Sequence, residues 1–221
     1  MEGGGSGFGA AIAIRYAQEG AKVIIGDINV DGGEKVASNN PSSISFQKMD
    51  VTSPEDWKAI LDLATSKYGK VDILVNNAGT TYKNKPSDEV TLSEFERVFN
   101  VNVKSIFLAS QSFIPLLIKQ GHGGSMINIS STGAQRPRPG LVWYNASKGA
   151  VSNATKGLAS EYGKYQVRVN NVCPLLSGTG LFEMFTGIPD TPENRQKFID
   201  NVPLGRFING GDFVVDGGKC I

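Results

Sequence analysis

Apolar positions in this chain alternate between two patterns. Short runs rich in Val and Ile at residues 22–27, 44–49, 71–75, 126–130 and 167–172 have the length and composition of buried strands. Between them lie longer stretches with helical end signals. Ser53-Pro54-Glu55-Asp56 offers an N-cap, a proline at the first helical position and an acid three residues on. That predicts a helix from there to about Tyr68, stopped by Gly69. Thr91-Leu92-Ser93-Glu94 repeats the capping pattern and opens a long helical region to about Gln120, with a bend predicted at Pro115. Residues 143–162 read as helix through Ala146, Ala150, Ala154, Leu158 and Ala159, with Gly163 as the stop. A helix from Ala10 to about Gly20 and a short one over 31–39 complete the set. Strand–helix alternation at this rhythm predicts a doubly wound parallel α/β sheet. No repeat or linker divides the chain, so residues 1–221 form one domain.

Ligands of such sheets bind beyond the carboxyl ends of the strands. Those ends carry Asp27, Asp50, the segment Asn76-Asn77-Ala78-Gly79, Ser130-Ser131 and Pro174. The chain opens on Gly3-Gly4-Gly5-Ser6-Gly7-Phe8-Gly9, a glycine-rich turn feeding a helix. Such a turn brings backbone N–H groups against a pyrophosphate, although a glycine run also suits a floppy leader. An acid at the distance of Asp27 takes ribose hydroxyls and repels a 2′-phosphate. Neither Ser6 nor Ile28 adds positive charge, so the pattern favours NAD over NADP. A plain turn aspartate before Asn29 is the alternative. Tyr144 and Lys148 stand four apart, one turn along one helix face. An ammonium beside a phenol lowers its pKa from about 10 and makes an acid/base for neutral pH. The same spacing also occurs by chance on surface helices.

Composition narrows the functions. With 40% hydrophobic and 19% charged residues and a net charge of +1, the chain reads as globular, with no dominant electrostatic partner such as nucleic acid. Cys173 and Cys220 are too few for a disulfide framework and suit free thiols in a reducing, cytoplasmic setting. No apolar run reads as long enough to span a bilayer, and no signal-peptide pattern opens the chain. His122 lies in a glycine loop, and no metal-ligand cluster is visible.

Together these residues resemble the short-chain dehydrogenase/reductase family, in its compact NAD(P)-dependent branch. Gly3, Ser6, Gly7, Phe8 and Gly9 are similar to its cofactor turn, with Glu2 where a threonine is usual. Asp50 and Val51 match the pair that contacts adenine. Asn77, Ala78 and Gly79, with Asn76, match the motif that stabilises the central sheet and flanks the adenosine. Asn102 matches the catalytic asparagine, and Ser131, thirteen residues before Tyr144, the catalytic serine. Pro174 and Thr179 match the segment that holds the nicotinamide and phosphate, with Leu175 in place of a glycine. Val215-Asp216-Gly217-Gly218 matches the family ending.

The resemblance implies a Rossmann-like three-layer α/β/α fold and interconversion of a secondary alcohol and a ketone. Tyr144 would be the acid/base, with Lys148 lowering its pKa and binding the nicotinamide ribose. Ser131 would bond the substrate oxygen, and Asn102 would help hold Lys148. Plainer readings are a turn cap for Ser131 and a helix-bending polar group for Asn102. Two family elements are expected to be missing: the first strand, before Gly3, and a late helix where Phe207 joins Ile208 directly. Their loss favours an alternative, a truncated nucleotide-binding pseudoenzyme or isoform. A third reading is an NADP-linked 3-oxoacyl reductase. The family also implies a homo-oligomer, dimer or tetramer, built on the two long helices. Residues 81–86, 132–143 and 175–200 should line the substrate pocket. Tyr82, Trp143, Leu181, Phe182, Met184 and Phe185 would make it an apolar wall for a hydrophobic cyclic alcohol or ketone rather than a sugar. Arg136 and Arg138 flank Pro137 there, either to attract an acidic substrate or as solvated loop charges.

Overall fold

Strands β1 (Val23–Asp27), β2 (Ile44–Lys48), β3 (Ile73–Asn76), β4 (Gly124–Ile129) and β5 (Val167–Val172) are all parallel. The computed structural model describes residues 1–175 and 180–202. Thr179, the Phe207–Ile208 junction and the 215–218 ending lie outside them. β2 pairs with β1, and β3, β4 and β5 pair in that order. The connecting helices are α1 (Gly7–Gln18), α2 (Val30–Ser38), α3 (Pro54–Tyr68), α4 (Leu92–Phe99), α5 (Ser105–Gln120) and α6 (Val142–Tyr162), followed by α7 (Phe182–Thr186) and α8 (Pro192–Ile199).

Among the described residues no strand precedes α1, as expected, but part of its pairing is kept at Glu2. Glu2 forms parallel bridges to Gly26 of β1 and to Asn76 of β3. Its N–H donates to the Val75 carbonyl at 3.1 Å, and the Met1 carbonyl accepts from Gly26 at 2.9 Å. The Gly4 N–H adds a bond to the Gly26 carbonyl at 3.3 Å. The residues ahead of the glycine turn therefore give β1 and β3 a shared neighbour at their carboxyl ends, where the cleft opens.

Two apolar layers enclose the sheet. Consecutive residues Ile24 and Ile25 of β1 enter different cores, as the two-residue strand period requires. On one face Ile25 meets Ala13 and Ala17 of α1 and Val36 of α2. On the other, Ile24, Leu74 and Met126 meet Trp57 of α3, Phe113 and Leu117 of α5 and Val151 of α6. The capping signals hold: Ser53 accepts from the Asp56 N–H, and Thr91 and Glu94 form a reciprocal capping box.

The long helical region differs in one respect from its sequence reading. Pro115 lies inside a continuous α5 and is exposed. The α-helical pattern breaks earlier, in a π turn over Asn100–Lys104. Taken whole, Leu92–Gln120 is also long and apolar enough to cross a membrane. The expectation that no such stretch exists therefore fails. Its apolar residues Phe113, Ile114 and Leu117 are buried against the sheet and α3, the pattern of a core helix.

Candidate active site

A cleft of about 660 Å³ runs along the carboxyl ends of the strands. At one end it is lined by Gly3, Ser6, Gly7 and Phe8 of the glycine turn, with Asp27, Asp50 and Val51. Asn77, Ala78 and Gly79 line its middle, and Ser131, Tyr144, Lys148 and Pro174 its far end. Gly9 and Asn102 do not line it. Gly9 lies behind, where a Cβ would stand 2.0 Å from the Gly3 carbonyl oxygen, so α1 closes on the turn only with glycine there.

The turn leaves main-chain donors open on its cleft side. Gly3 and Gly7 have φ of +63° and +52°, which side chains rarely adopt. Ser6, the residue before α1, makes no side-chain cap, so the first N–H groups of that helix are left to face the cleft. The Asn77 side-chain amide donates to the Gly3 carbonyl at 2.8 Å and ties the turn to the exit of β3. Asp27 accepts from the Gly5 N–H at 2.8 Å and from the Asn29 N–H at 2.9 Å. It is thus a turn aspartate that also presents its carboxylate to the cleft. These features fit a dinucleotide with its pyrophosphate at α1 and a ribose at Asp27.

Glu2 lies beneath this turn and is 1% exposed. One carboxylate oxygen accepts a short bond from the Ala78 N–H, and the other has no partner among the described residues. Burial pushes the carboxyl up to about 7, against the pull of the Ala78 bond. Across the sheet, Asn76 donates to Asn128 at 2.7 Å and Asn128 to Thr155 of α6 at 2.8 Å. The Ser130 hydroxyl donates to the Lys148 carbonyl at 2.9 Å. This polar ladder fixes α6 against β3 and β4.

Tyr144 and Lys148 are buried, with the ammonium nitrogen 6.0 Å from the centre of the phenol ring. Burial raises the Tyr144 phenol to about 12, and the Ser131 hydroxyl pulls it the other way. The expectation that the lysine lowers this pKa needs correction. The Lys148 ammonium is itself pulled down to about 8 by burial, and it donates to the Ile129 carbonyl at 2.8 Å. At 6.0 Å from the ring centre the ammonium does not offset the burial that holds the phenol up. Ser131 lines the cleft and also caps a turn, accepting from the Gly133 N–H at 3.1 Å.

Asn102 is held differently from the expectation. Its carbonyl oxygen accepts from the Thr80 N–H at 2.8 Å. Its amide donates to the Thr80 carbonyl at 3.0 Å and to the Ser147 hydroxyl at 2.9 Å. Ser147 in turn donates to the Tyr144 carbonyl at 2.7 Å. Asn102 therefore braces the helix that carries Tyr144 and Lys148, through Ser147. Sequence reasoning passed over Ser147, although a small polar residue on the Tyr144–Lys148 face was its signal.

The apolar wall also needs revision. Leu181 and Phe185 line the cleft, joined by Leu141 and Leu175, and the Phe185 ring meets Tyr144 edge-on with centroids 5.0 Å apart. Tyr82 is buried, with its hydroxyl accepting from the Trp143 N–H. The Trp143 ring packs edge-on to Phe95 outside the cleft, Phe182 packs on Phe198, and Met184 lines a separate hollow. These four residues support the wall from behind or lie apart from it. Arg136 is exposed, whereas Arg138 lines the cleft.

Comparison with known proteins gives the site its context. A family model described as short chain dehydrogenase matches residues 1–186. The chain is 45% identical over 215 residues to a 4-formylbenzenesulfonate dehydrogenase of Comamonas testosteroni, covering 96% of this chain and 85% of that protein. It is 36% identical over 211 residues to a 3-oxoacyl-[acyl-carrier-protein] reductase of Thermotoga maritima, covering 94% and 82%. The solved structure of a 3-ketoacyl-(acyl-carrier-protein) reductase from Brucella melitensis, complexed with NADH, superposes with a TM-score of 0.87 at 39% identity, over 94% of this chain and 83% of that one. On its fold, its motifs and these relatives, the chain belongs to the short-chain dehydrogenase/reductase family.

Proposed function

We propose that this chain interconverts an apolar, cyclic secondary alcohol and its ketone, with NAD as the hydride carrier. Family membership makes it an NAD(P)-dependent oxidoreductase acting on CH–OH groups. The observation that carries the finer reading is that one cleft joins Asp27 and the glycine turn to Ser131 and Tyr144. The backbone of Gly3, Ser6, Gly7 and Phe8 would hold the pyrophosphate, with Gly9 packing the turn behind them. Asp27 would take the ribose hydroxyls, and Asp50 and Val51 the adenine. Asn77, Ala78, Gly79, Lys148 and Pro174 would hold the remainder, with Thr179 assigned by resemblance. When bound, the nicotinamide supplies or accepts the hydride.

The chain's own residues handle the proton. A Tyr144 phenol held near 12 carries its proton at neutral pH, so it donates to the ketone oxygen. In alcohol oxidation the Tyr144 phenol must first release its own proton to solvent; the phenolate then takes the alcohol proton as the hydride leaves, and the Ser131 hydroxyl supports the charge on it. Leu141, Leu175, Leu181 and Phe185 exclude water and suit an apolar ring. The aromatic substrate named for the Comamonas relative fits such a wall. NADP-linked reduction of 3-oxoacyl thioesters would use the same catalytic groups but would set a 2′-phosphate against Asp27. A cytoplasmic, homo-oligomeric enzyme belongs to the same reading. Cys173 as a free thiol and the exposed Phe107 on α5 support it.

The test is a rate comparison on the purified chain. NAD+ should outperform NADP+, and cyclic secondary alcohols should outpace sugars. Tyr144→Phe should lower kcat by roughly 10²–10⁴-fold while NADH binding persists. Preference for NADP+, faster turnover of sugars, or an active phenylalanine variant would each overturn the reading.

A further inference from the structure

Among the described residues, Arg138 is the positively charged side chain at the substrate end of the cleft besides Lys148. It is half-buried and shares the cleft lining with Leu141, Leu181 and Phe185. Its guanidinium lies 5.1 Å from the centre of the Phe198 ring on α8. Among the described residues no carboxylate lies within ion-pair distance of it. Among the described residues, the acids that line the cleft are Asp27 and Asp50, at the adenosine end. The position is fixed from behind. The side-chain amide of Asn145, next to Tyr144, donates to the Arg138 carbonyl at 3.0 Å. Its neighbour Arg136 is exposed and its N–H donates to the Thr132 carbonyl at 2.8 Å, so the two arginines are not equivalent.

A guanidinium stays charged in any protein setting, and placing one in an apolar wall without a counter-ion is costly. Its planar fork matches a carboxylate or sulfonate through two parallel hydrogen bonds. From this geometry we infer that Arg138 determines specificity, by binding an oxyanion, carboxylate or sulfonate, on the end of the substrate away from the reacting carbon. This inference rests on the alcohol–ketone reading and deepens it. The substrate is then an apolar ring with the carbinol at Tyr144 and an anionic group at Arg138.

Matched substrates test this. 1-Phenylethanol, 4-(1-hydroxyethyl)benzoate and 4-(1-hydroxyethyl)benzenesulfonate share the reacting group and differ in charge. With NAD+, the anionic compounds should show a KM lower by roughly 10- to 100-fold, the size of a charge-assisted hydrogen bond, with kcat little changed. The carboxylate and sulfonate arms show which oxyanion fits better. Arg138→Met keeps the stem on Phe198 and should abolish the preference, raising the KM of the two anionic alcohols far more than that of 1-phenylethanol. Arg138→Lys should restore part of it. Calorimetry with 4-acetylbenzoate and acetophenone reads the same preference without turnover. Equal KM values for neutral and anionic alcohols, or a preference that survives Arg138→Met, would overturn the inference and leave the alcohol–ketone reading standing. Tighter binding of 4-acetylbenzoate with no turnover of any alcohol would uphold Arg138 and overturn that reading instead.

Discussion

Asn102 makes three hydrogen bonds from a buried position, two to the backbone of Thr80 and one to Ser147. The arrangement locks the exit of β3 to the helix bearing Tyr144 and Lys148. An asparagine can do this because its side chain offers an acceptor and two donors on one rigid plane. Asn102→Ala leaves the N–H and carbonyl of Thr80 and the hydroxyl of Ser147 without this partner. Each buried polar group stripped of its partner costs about 1–3 kcal/mol. The variant should lose about 3 kcal/mol of stability and much of its kcat, since Tyr144 and Lys148 are held through the same brace. Urea unfolding alongside initial rates reads both quantities, and an unchanged midpoint would refute the bracing role. The residue types of the site were legible in the sequence. Their partners were not: nothing local says that Asn102 reaches Ser147, or that Lys148 donates to the Ile129 carbonyl.

Among the elements, the segment at Glu2 is the most consequential. It bridges β1 and β3, yet it has no periodic side-chain pattern, because its contribution lies in main-chain bonds. Capping residues, by contrast, act locally, and the sequence showed the starts of α3 and α4 correctly. Pro115 misled because its cost depends on which side it faces. It points to solvent, while the break falls at the π turn from which Asn102 reaches Thr80. The bridging residue also carries an ionisable group. Burial raises the Glu2 carboxyl from 4.5 to about 7, so the folded chain holds that proton more tightly than the unfolded one. This contribution to stability is full below pH 4.5, falls as pH rises towards 7 and is level above it. At 1.36 kcal/mol per pKa unit, the loss is about 3 kcal/mol. Glu2→Gln keeps an acceptor for the Ala78 N–H and cannot ionise. Its stability relative to the parent should rise by about 3 kcal/mol between pH 5 and pH 8. Parallel pH curves for the two proteins would show that Glu2 carries no such penalty.

At the scale of the whole molecule, the parallel sheet and its two cores follow from the strand–helix rhythm that the sequence displays, because burial on both faces gives the strands apolar residues at consecutive positions, as Val23, Ile24 and Ile25 show in β1. What the rhythm could not separate is apolar surface kept for the core from apolar surface left outside. α5 shows the difference. Phe113 and Leu117 are buried, while Phe107, Gln111, Pro115 and Ile118 form an outward stripe at helical spacing. Phe107 is 55% exposed and Ile118 36%. On α6, Ala146, Asn153, Ala154 and Gly157 also face outward, giving a shallow surface that another helix can approach closely. If these two helices form the subunit interface of a homo-oligomer, a charge at Phe107 must be desolvated when the surfaces meet, which costs more than the packing it replaces. Phe107→Asp should therefore convert the oligomer to monomer without unfolding the chain, since the residue takes no part in either core. Sedimentation or light scattering at micromolar concentration reads the mass, and circular dichroism confirms the fold. A parent protein that is already monomeric, or a variant of unchanged mass, would place any assembly elsewhere or remove it.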